Sequence, residues 1–154
     1  MSANISAADV KKLREMTGAG MMDCKKALTE AGGDFDKAVE VLRKKGQKVS
    51  AKRADREANE GVVTAQVSDD KKKGVIVKLS CETDFVAKGD DFVKFAEDVA
   101  ALALSHFPAT HEELMGLDMD ALPVSERVTE LVGKINEKIE LAAYERMEAE
   151  QVAP

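Results

Sequence analysis

The chain has 154 residues, 44% hydrophobic and 34% charged, with a net charge of −6, the balance of a soluble globular protein of one domain or two small ones. Aromatic residues make up only 4%, so the core must be mostly aliphatic, and two Cys are too few for a disulfide scaffold. No apolar run approaches the roughly 18 residues of a membrane span, no basic-then-apolar leader opens the chain, and an acidic chain poor in aromatics is a weak candidate for direct nucleic-acid binding.

The charge is uneven. Residues 1–60 carry a net of +3 and residues 61–154 a net of −9, which suggests two units of different character. Residues 5–46 read as three short helices. Ser6 and Asp9 have capping-box spacing, and Val10, Leu13 and either Met16 or Thr17 recur at helical intervals. Thr17-Gly18-Ala19-Gly20 breaks the pattern. A second helix over about 22–30 puts Cys24, Ala27, Leu28 and Ala31 on one face, and Gly32-Gly33 stops it. Asp34 can cap a third, with Phe35, Ala38, Val39 and Leu42 inward and Gly46 as its C-terminal stop. Helices this short must pack together to persist in water.

Residues 47–60 have little apolar content and read as a basic, partly helical linker. From Arg43 to Arg56 seven residues are basic and one is acidic. That stretch is either a solvated surface or a patch for an acidic partner. Val62–Val67 and Val75–Cys81 then read as two strands joined by the polar turn 68–74. On the second strand Lys78 and Ser80 mark the wetter face. A helix over about 90–105 has a wide apolar face suited to covering a sheet. Pro108, Gly116 and Pro123 interrupt residues 107–123, leaving room for a short helix at 111–115, and another helix starts at Val124. Residues 140–151 look helical by propensity, yet a two-stranded hairpin wants a third strand. The alternation there does not decide between them.

The constellations of covalent catalysis are missing from the sequence. His106 and His111 have no metal-ligand spacing with Cys24 or Cys81, and His111-Glu112-Glu113-Leu114-Met115 lacks the second His of a zinc-protease helix. Gly18-Ala19-Gly20 lacks the following Lys-Ser/Thr of a phosphate loop. Both Cys sit in apolar periodicities and read as core residues of a protein kept in a reducing cytoplasm. A binding or regulatory protein, not an enzyme, is expected, with no cofactor.

Two segments stand apart. Met21 and Met22 open a helix side by side, so at least one should face outward, unless both tuck under the bundle. Thr83-Asp84-Phe85-Val86 lies at a strand-to-helix junction. There Thr83 or Asp84 can cap the turn with Phe85 packed inward, or Phe85 can be an exposed anchor.

The run Leu13-Arg14-Glu15-Met16-Thr17-Gly18-Ala19-Gly20-Met21-Met22-Asp23-Cys24-Lys25-Lys26-Ala27-Leu28 resembles the amino-terminal signature of the elongation factor Ts family. Cys81-Glu82-Thr83-Asp84-Phe85-Val86-Ala87-Lys88 resembles its second signature. The resemblance implies an α+β fold: a three-helix ubiquitin-associated-like module (1–46), the linker (47–60), and the amino-terminal half of the family core (61–154). In that core an antiparallel three-stranded sheet, its third strand at about 139–148, is covered by helices. It implies guanine nucleotide exchange on elongation factor Tu. The module would dock on the GTPase domain, and Thr83, Asp84, Phe85 and Val86 would push in near the nucleotide's Mg²⁺. Lys25 falls where the family uses a Lys against the partner, and Met21 and Met22 would line the same surface. Lys134-Ile135-Asn136-Glu137-Lys138-Ile139 resembles a Lys-Ile-Gly-Glu-Asn-Ile pattern. Ile135 carries over from it as a partner contact, with Asn136 in place of Gly. The remaining half of the usual core, including a partner-contacting His, has no counterpart here. An exposed sheet edge is expected where that half would pack.

Overall fold

A computed structural model describes residues 4–153. The readings that touch Met1–Ala3 and Pro154 lie outside the described residues. The chain divides into two compact units, residues 1–54 with 129–137, and residues 55–128 with 138–154.

The first unit holds three helices, α1 (Ala7–Thr17), α2 (Met21–Glu30) and α3 (Phe35–Arg53). Ser6 accepts from the Asp9 amide and the Asp9 carboxylate accepts from the Ser6 amide, completing the capping box. Gly18 takes the left-handed conformation that ends α1, at φ 69°. Gly32 and Gly33 do the same between α2 and α3, and Asp34 caps α3 through the Lys37 amide. Val10, Leu13, Cys24, Ala27, Leu28 and Ala38 form the core, with Phe35, Val39 and Leu42 packed against it. The choice left open in α1 falls to Thr17, which is half-buried and donates to the Leu13 carbonyl at 2.8 Å, while Met16 is exposed.

Gly46 does not stop the third helix, which runs on to Arg53. Its role is close approach. A Cβ on Gly133 would stand 2.6 Å from the Gly46 Cα, and one on Gly46 would stand 3.0 Å from the Thr129 carbonyl oxygen. Two facing glycines let the backbones of α3 and of the C-terminal part of α7 (Val124–Ile135) cross in contact. Residues 47–53 are therefore helix.

The second unit is an antiparallel sheet in the order β1-β2-β5, formed by β1 (Glu60–Val67), β2 (Lys73–Cys81) and β5 (Glu140–Glu148). Its fold class is the expected α+β. The third strand forms over 140–148 in spite of the local helix propensity. Both β1 and β5 are edges of this sheet. Val75, Val77, Leu79 and Cys81 are buried on one face, which α5 (Asp90–His106) covers with Phe92, Ala96, Val99, Ala100 and Ala103. Gln66 on that face donates to the Glu97 carbonyl of α5 at 3.0 Å. Ser80, expected on the wet side, is buried at the end of β2 where the chain turns away from the sheet.

β5 contains a bulge. Lys78 pairs with Ala143 and Leu79 with Leu141, so Ala142 is the extra residue. The bulge brings Leu141 and Tyr144 to the same buried face. α6 (His111–Met115) lies beside it, and the His111 Nε2 donates to the Leu141 carbonyl. The Tyr144 hydroxyl donates to the Pro108 carbonyl at 2.8 Å. A two-residue ladder, β3 (Asp118–Met119) with β4 (Leu122–Pro123), was not expected. Its turn holds Asp120 and Ala121 at φ 56° and 71°, without the Asn-Gly or Asp-Gly pair that marks such turns in sequence. Arg127 holds it by donating to the Met119 carbonyl at 2.8 Å.

Candidate functional site

In the second unit the chain leaves β2 at Cys81 and forms a single helical turn, α4 (Asp84–Ala87). Thr83 caps the turn, accepting from the Val86 amide at 3.3 Å. The Cys81 Sγ donates to the Thr83 carbonyl at 3.2 Å, and a Glu82 carboxylate oxygen accepts from the Lys138 amide at 2.7 Å. Ala87 is buried and Val86 half-buried, so one side of the turn is anchored. Asp84 and Phe85 occupy the other side. Phe85 is 84% exposed. The capping half of the inward reading is therefore right and its Phe85 half is wrong. One turn has room for two anchoring positions, and these are Val86 and Ala87. Lys88 reaches the Asp84 carboxylate at 3.4 Å across exposed surface, a contact of little energetic weight.

Of the five Phe, only Phe85 is exposed; Phe92 is buried and Phe35, Phe95 and Phe107 are half-buried. Burying a Phe side chain is worth roughly 1.5–3 kcal/mol, which the fold forgoes at this position.

In the first unit Met21 and Met22 are both outward, 58% and 65% exposed, and Lys25 is exposed one turn on. The reading that both Met tuck under the bundle is excluded. Cys24, Ala27 and Leu28 already fill the inner face of α2. An ion pair between Lys45 and Asp23 ties the first turn of α2 to α3. Met16, in the last turn of α1, is a further exposed apolar side chain of this unit that the spacing did not assign to the surface. Ile135 is half-buried in the same unit. The neighbouring Lys134 ammonium lies 2.9 Å from where a Gly18 Cβ would be, against the turn that precedes Met21. Asn136 stands at φ 63°, which explains how Asn serves where the family pattern has Gly. Met21, Met22, Lys25 and Ile135 thus belong to one unit and Thr83–Val86 to the other.

Burial raises the Cys24 thiol above its ordinary pKa, the Thr17 hydroxyl opposing it. Both Cys are buried and free. A thiol kept protonated in apolar surroundings is a packing group and a poor nucleophile. Among the described residues no cluster of three His, Cys, Asp or Glu gathers to hold a metal, and no helix is long and apolar enough to cross a membrane.

A family model described as elongation factor TS matches residues 82–153. Proteins named elongation factor Ts from Amoebophilus asiaticus and Christiangramia forsetii are each 57% identical to the chain, over 97% and 96% of its length. The one from Chlorobaculum tepidum is 54% identical over 96%. The chain belongs to the elongation factor Ts family. It spans about half the length of the curated relatives it matches, 54% of the Amoebophilus protein and 53% of the other two. The stretch matched by the elongation factor Ts model takes in Glu82, the α4 turn and Ile135, and lies outside Met21, Met22 and Lys25.

Glu82 is the residue whose role sequence reasoning missed. Its partner amide is 56 residues away, so no local pattern signals it.

Proposed function

We propose that this chain is a translation elongation factor that associates with elongation factor Tu in its GDP form and promotes exchange of GDP for GTP. The observation that carries this reading is Phe85, an exposed rigid aromatic beside the exposed carboxylate of Asp84, on a turn braced by Thr83, Cys81 and Glu82. Thr83, Asp84, Phe85 and Val86 form the wedge that enters the GTPase domain. Met21, Met22, Lys25 and Ile135 form the docking surface. No covalent step is involved, no cofactor is needed, and contact with nucleic acid or membrane plays no part. The place of action is the cytoplasm, where translation occurs.

A GTPase holds its nucleotide partly through a Mg²⁺ that bridges phosphate oxygens. A carboxylate and an aromatic ring pushed beside that ion weaken nucleotide binding. The coupling is reciprocal, so GDP weakens factor binding by the same ratio. Burying Phe85 in the partner contributes roughly 1.5–3 kcal/mol, which is about one to two decades of nucleotide weakening. Docking contacts must supply the rest.

The second reading is a docking adaptor that binds elongation factor Tu without exchange. It is favoured by the division of the residues, since Met21, Met22, Lys25 and Ile135 belong to one unit and Thr83–Val86 to the other, so docking does not require the α4 turn. One measurement separates the two: release of a fluorescent GDP analogue from elongation factor Tu at fixed Mg²⁺, with and without this chain. Acceleration that vanishes in Phe85→Ala supports exchange. Binding without acceleration leaves the adaptor.

A further inference from the structure

The chain has two Cys and seven Met, and the fold treats the two kinds of sulfur in opposite ways. Cys24 and Cys81 are free and fully buried. The Cys24 Sγ donates to the Ala19 carbonyl at 3.7 Å and the Cys81 Sγ to the Thr83 carbonyl at 3.2 Å. Solvent reaches neither thiol, and access is one condition of cysteine reactivity. Met16, Met21 and Met22 are 57%, 58% and 65% exposed. They flank a single turn, Met16 in the last turn of α1 and the pair in the first turn of α2. Among the described residues Met147, in the other unit, is the one further exposed Met, and Met115 and Met119 are half-buried.

We propose that Met16, Met21 and Met22 are a methionine-oxidation site through which peroxide reversibly switches docking off; the switching rests on the reading that this surface meets elongation factor Tu. The thioether sulfur attacks one peroxide oxygen. An S–O bond forms, the O–O bond breaks, and the sulfur gives up two electrons. The departing hydroxide takes the remaining peroxide proton and leaves as water. Methionine sulfoxide reductases return the sulfoxide to the thioether, with two thiols oxidised to a disulfide and the oxygen lost as water.

Oxidation turns a flexible apolar side chain into a polar one. In the free chain the new oxygen stays hydrated, and the inner face of α2 is filled by Cys24, Ala27 and Leu28, so the fold is untouched. On docking the oxygen must shed its water, and burying a polar group without a partner is costly. The adjacent pair doubles that cost within one helical turn.

The test treats the full chain with hydrogen peroxide, removes the peroxide, and follows with peptide mass spectrometry and titration against elongation factor Tu. The expected result is one added oxygen on each of Met16, Met21 and Met22 ahead of Met115 and Met119, with both Cys unmodified and thermal unfolding unchanged. Association should weaken about tenfold and recover after treatment with methionine sulfoxide reductase. Met16→Leu with Met21→Leu and Met22→Leu keeps the apolar volume and leaves Met147 open to oxidation. Whatever the starting affinity of that variant, peroxide should not change it. Oxidation of Cys24 ahead of the three Met overturns the proposal. So does an oxidised chain that associates as tightly as the reduced one, or a triple variant that still loses association. A reduced chain that does not bind elongation factor Tu at all overturns the docking reading and the switch together, while the mass spectra still decide the modification site.

Discussion

The exposed methionines of α2 and the exposed phenylalanine of α4 rest on different supports. Met21 and Met22 begin a ten-residue helix whose inner face is part of a continuous core. Their side chains are flexible and polarizable and suit an adaptable contact. Phe85 stands on a helix of four residues that could not form alone. Its support is a set of hydrogen bonds: the Thr83 cap, the Cys81 thiol on the Thr83 carbonyl, and the Glu82 carboxylate on the Lys138 amide. A contact surface tolerates adjustment. The wedge proposed for Phe85 must reach one place in a partner and does not tolerate it, and a rigid ring on a braced turn would lose little entropy on insertion.

This contrast can be broken from either side. The largest effect belongs to Leu28→Ala, which empties a fully buried site under α2 and should cost about 2–5 kcal/mol. Thermal unfolding should show the helical unit melting early while the sheet unit keeps its transition. Phe85→Ala comes next. It should leave stability unchanged, because the ring is exposed, and lower the nucleotide release rate by about one to two decades. A loss of thermal stability there would mean that the ring packs on the fold.

Met21→Ala with Met22→Ala should weaken association with elongation factor Tu by about tenfold while the release rate at saturation holds. A titration that separates affinity from maximal rate reads this directly. Glu82→Gln keeps the shape of the brace and removes its charge, and hydrogen bonds to charged groups are worth about 1.5–3 kcal/mol against about 0.5–1.5 for neutral ones. Release should fall severalfold, less than for Phe85→Ala, with affinity unchanged.

The smallest effect concerns the sheet from which the α4 turn follows. Burial pushes the Tyr144 hydroxyl above its ordinary pKa of 10.0. Above that pH the unfolded chain loses its proton first, so stability is full below about pH 10 and declines as pH rises through the folded value. Tyr144→Phe should cost about 1 kcal/mol at neutral pH by losing the bond to Pro108, and should flatten the alkaline decline. Denaturant titrations at neutral and alkaline pH compare the two.

The amino-acid sequence by itself determined most of the helical unit and its caps. Ser6, Asp9, Gly18, Gly32, Gly33 and Asp34 act within a few residues of their own position, so local chemistry names them. It also located the two hairpin strands, the helix at 111–115 and the two segments from which the candidate site is built, though not whether Phe85 faced in or out.

Other features depend on groups distant in sequence, and only the tertiary structure decided them. Gly46 reads as a stop in isolation, yet Gly133 makes it a crossing point. Residues 140–148 hide their strand because the bulge at Ala142 places the buried Leu141 and Tyr144 three apart, a helical interval. Only pairing with β2 shows the extra residue. Phe85 faces out because Val86 and Ala87 took the inner side of a single turn, and Glu82 braces that turn through an amide far along the chain. Caps, turns and periodicity are properties of a few neighbouring residues. Close backbone crossings, register shifts and long-range braces exist only once two distant stretches meet.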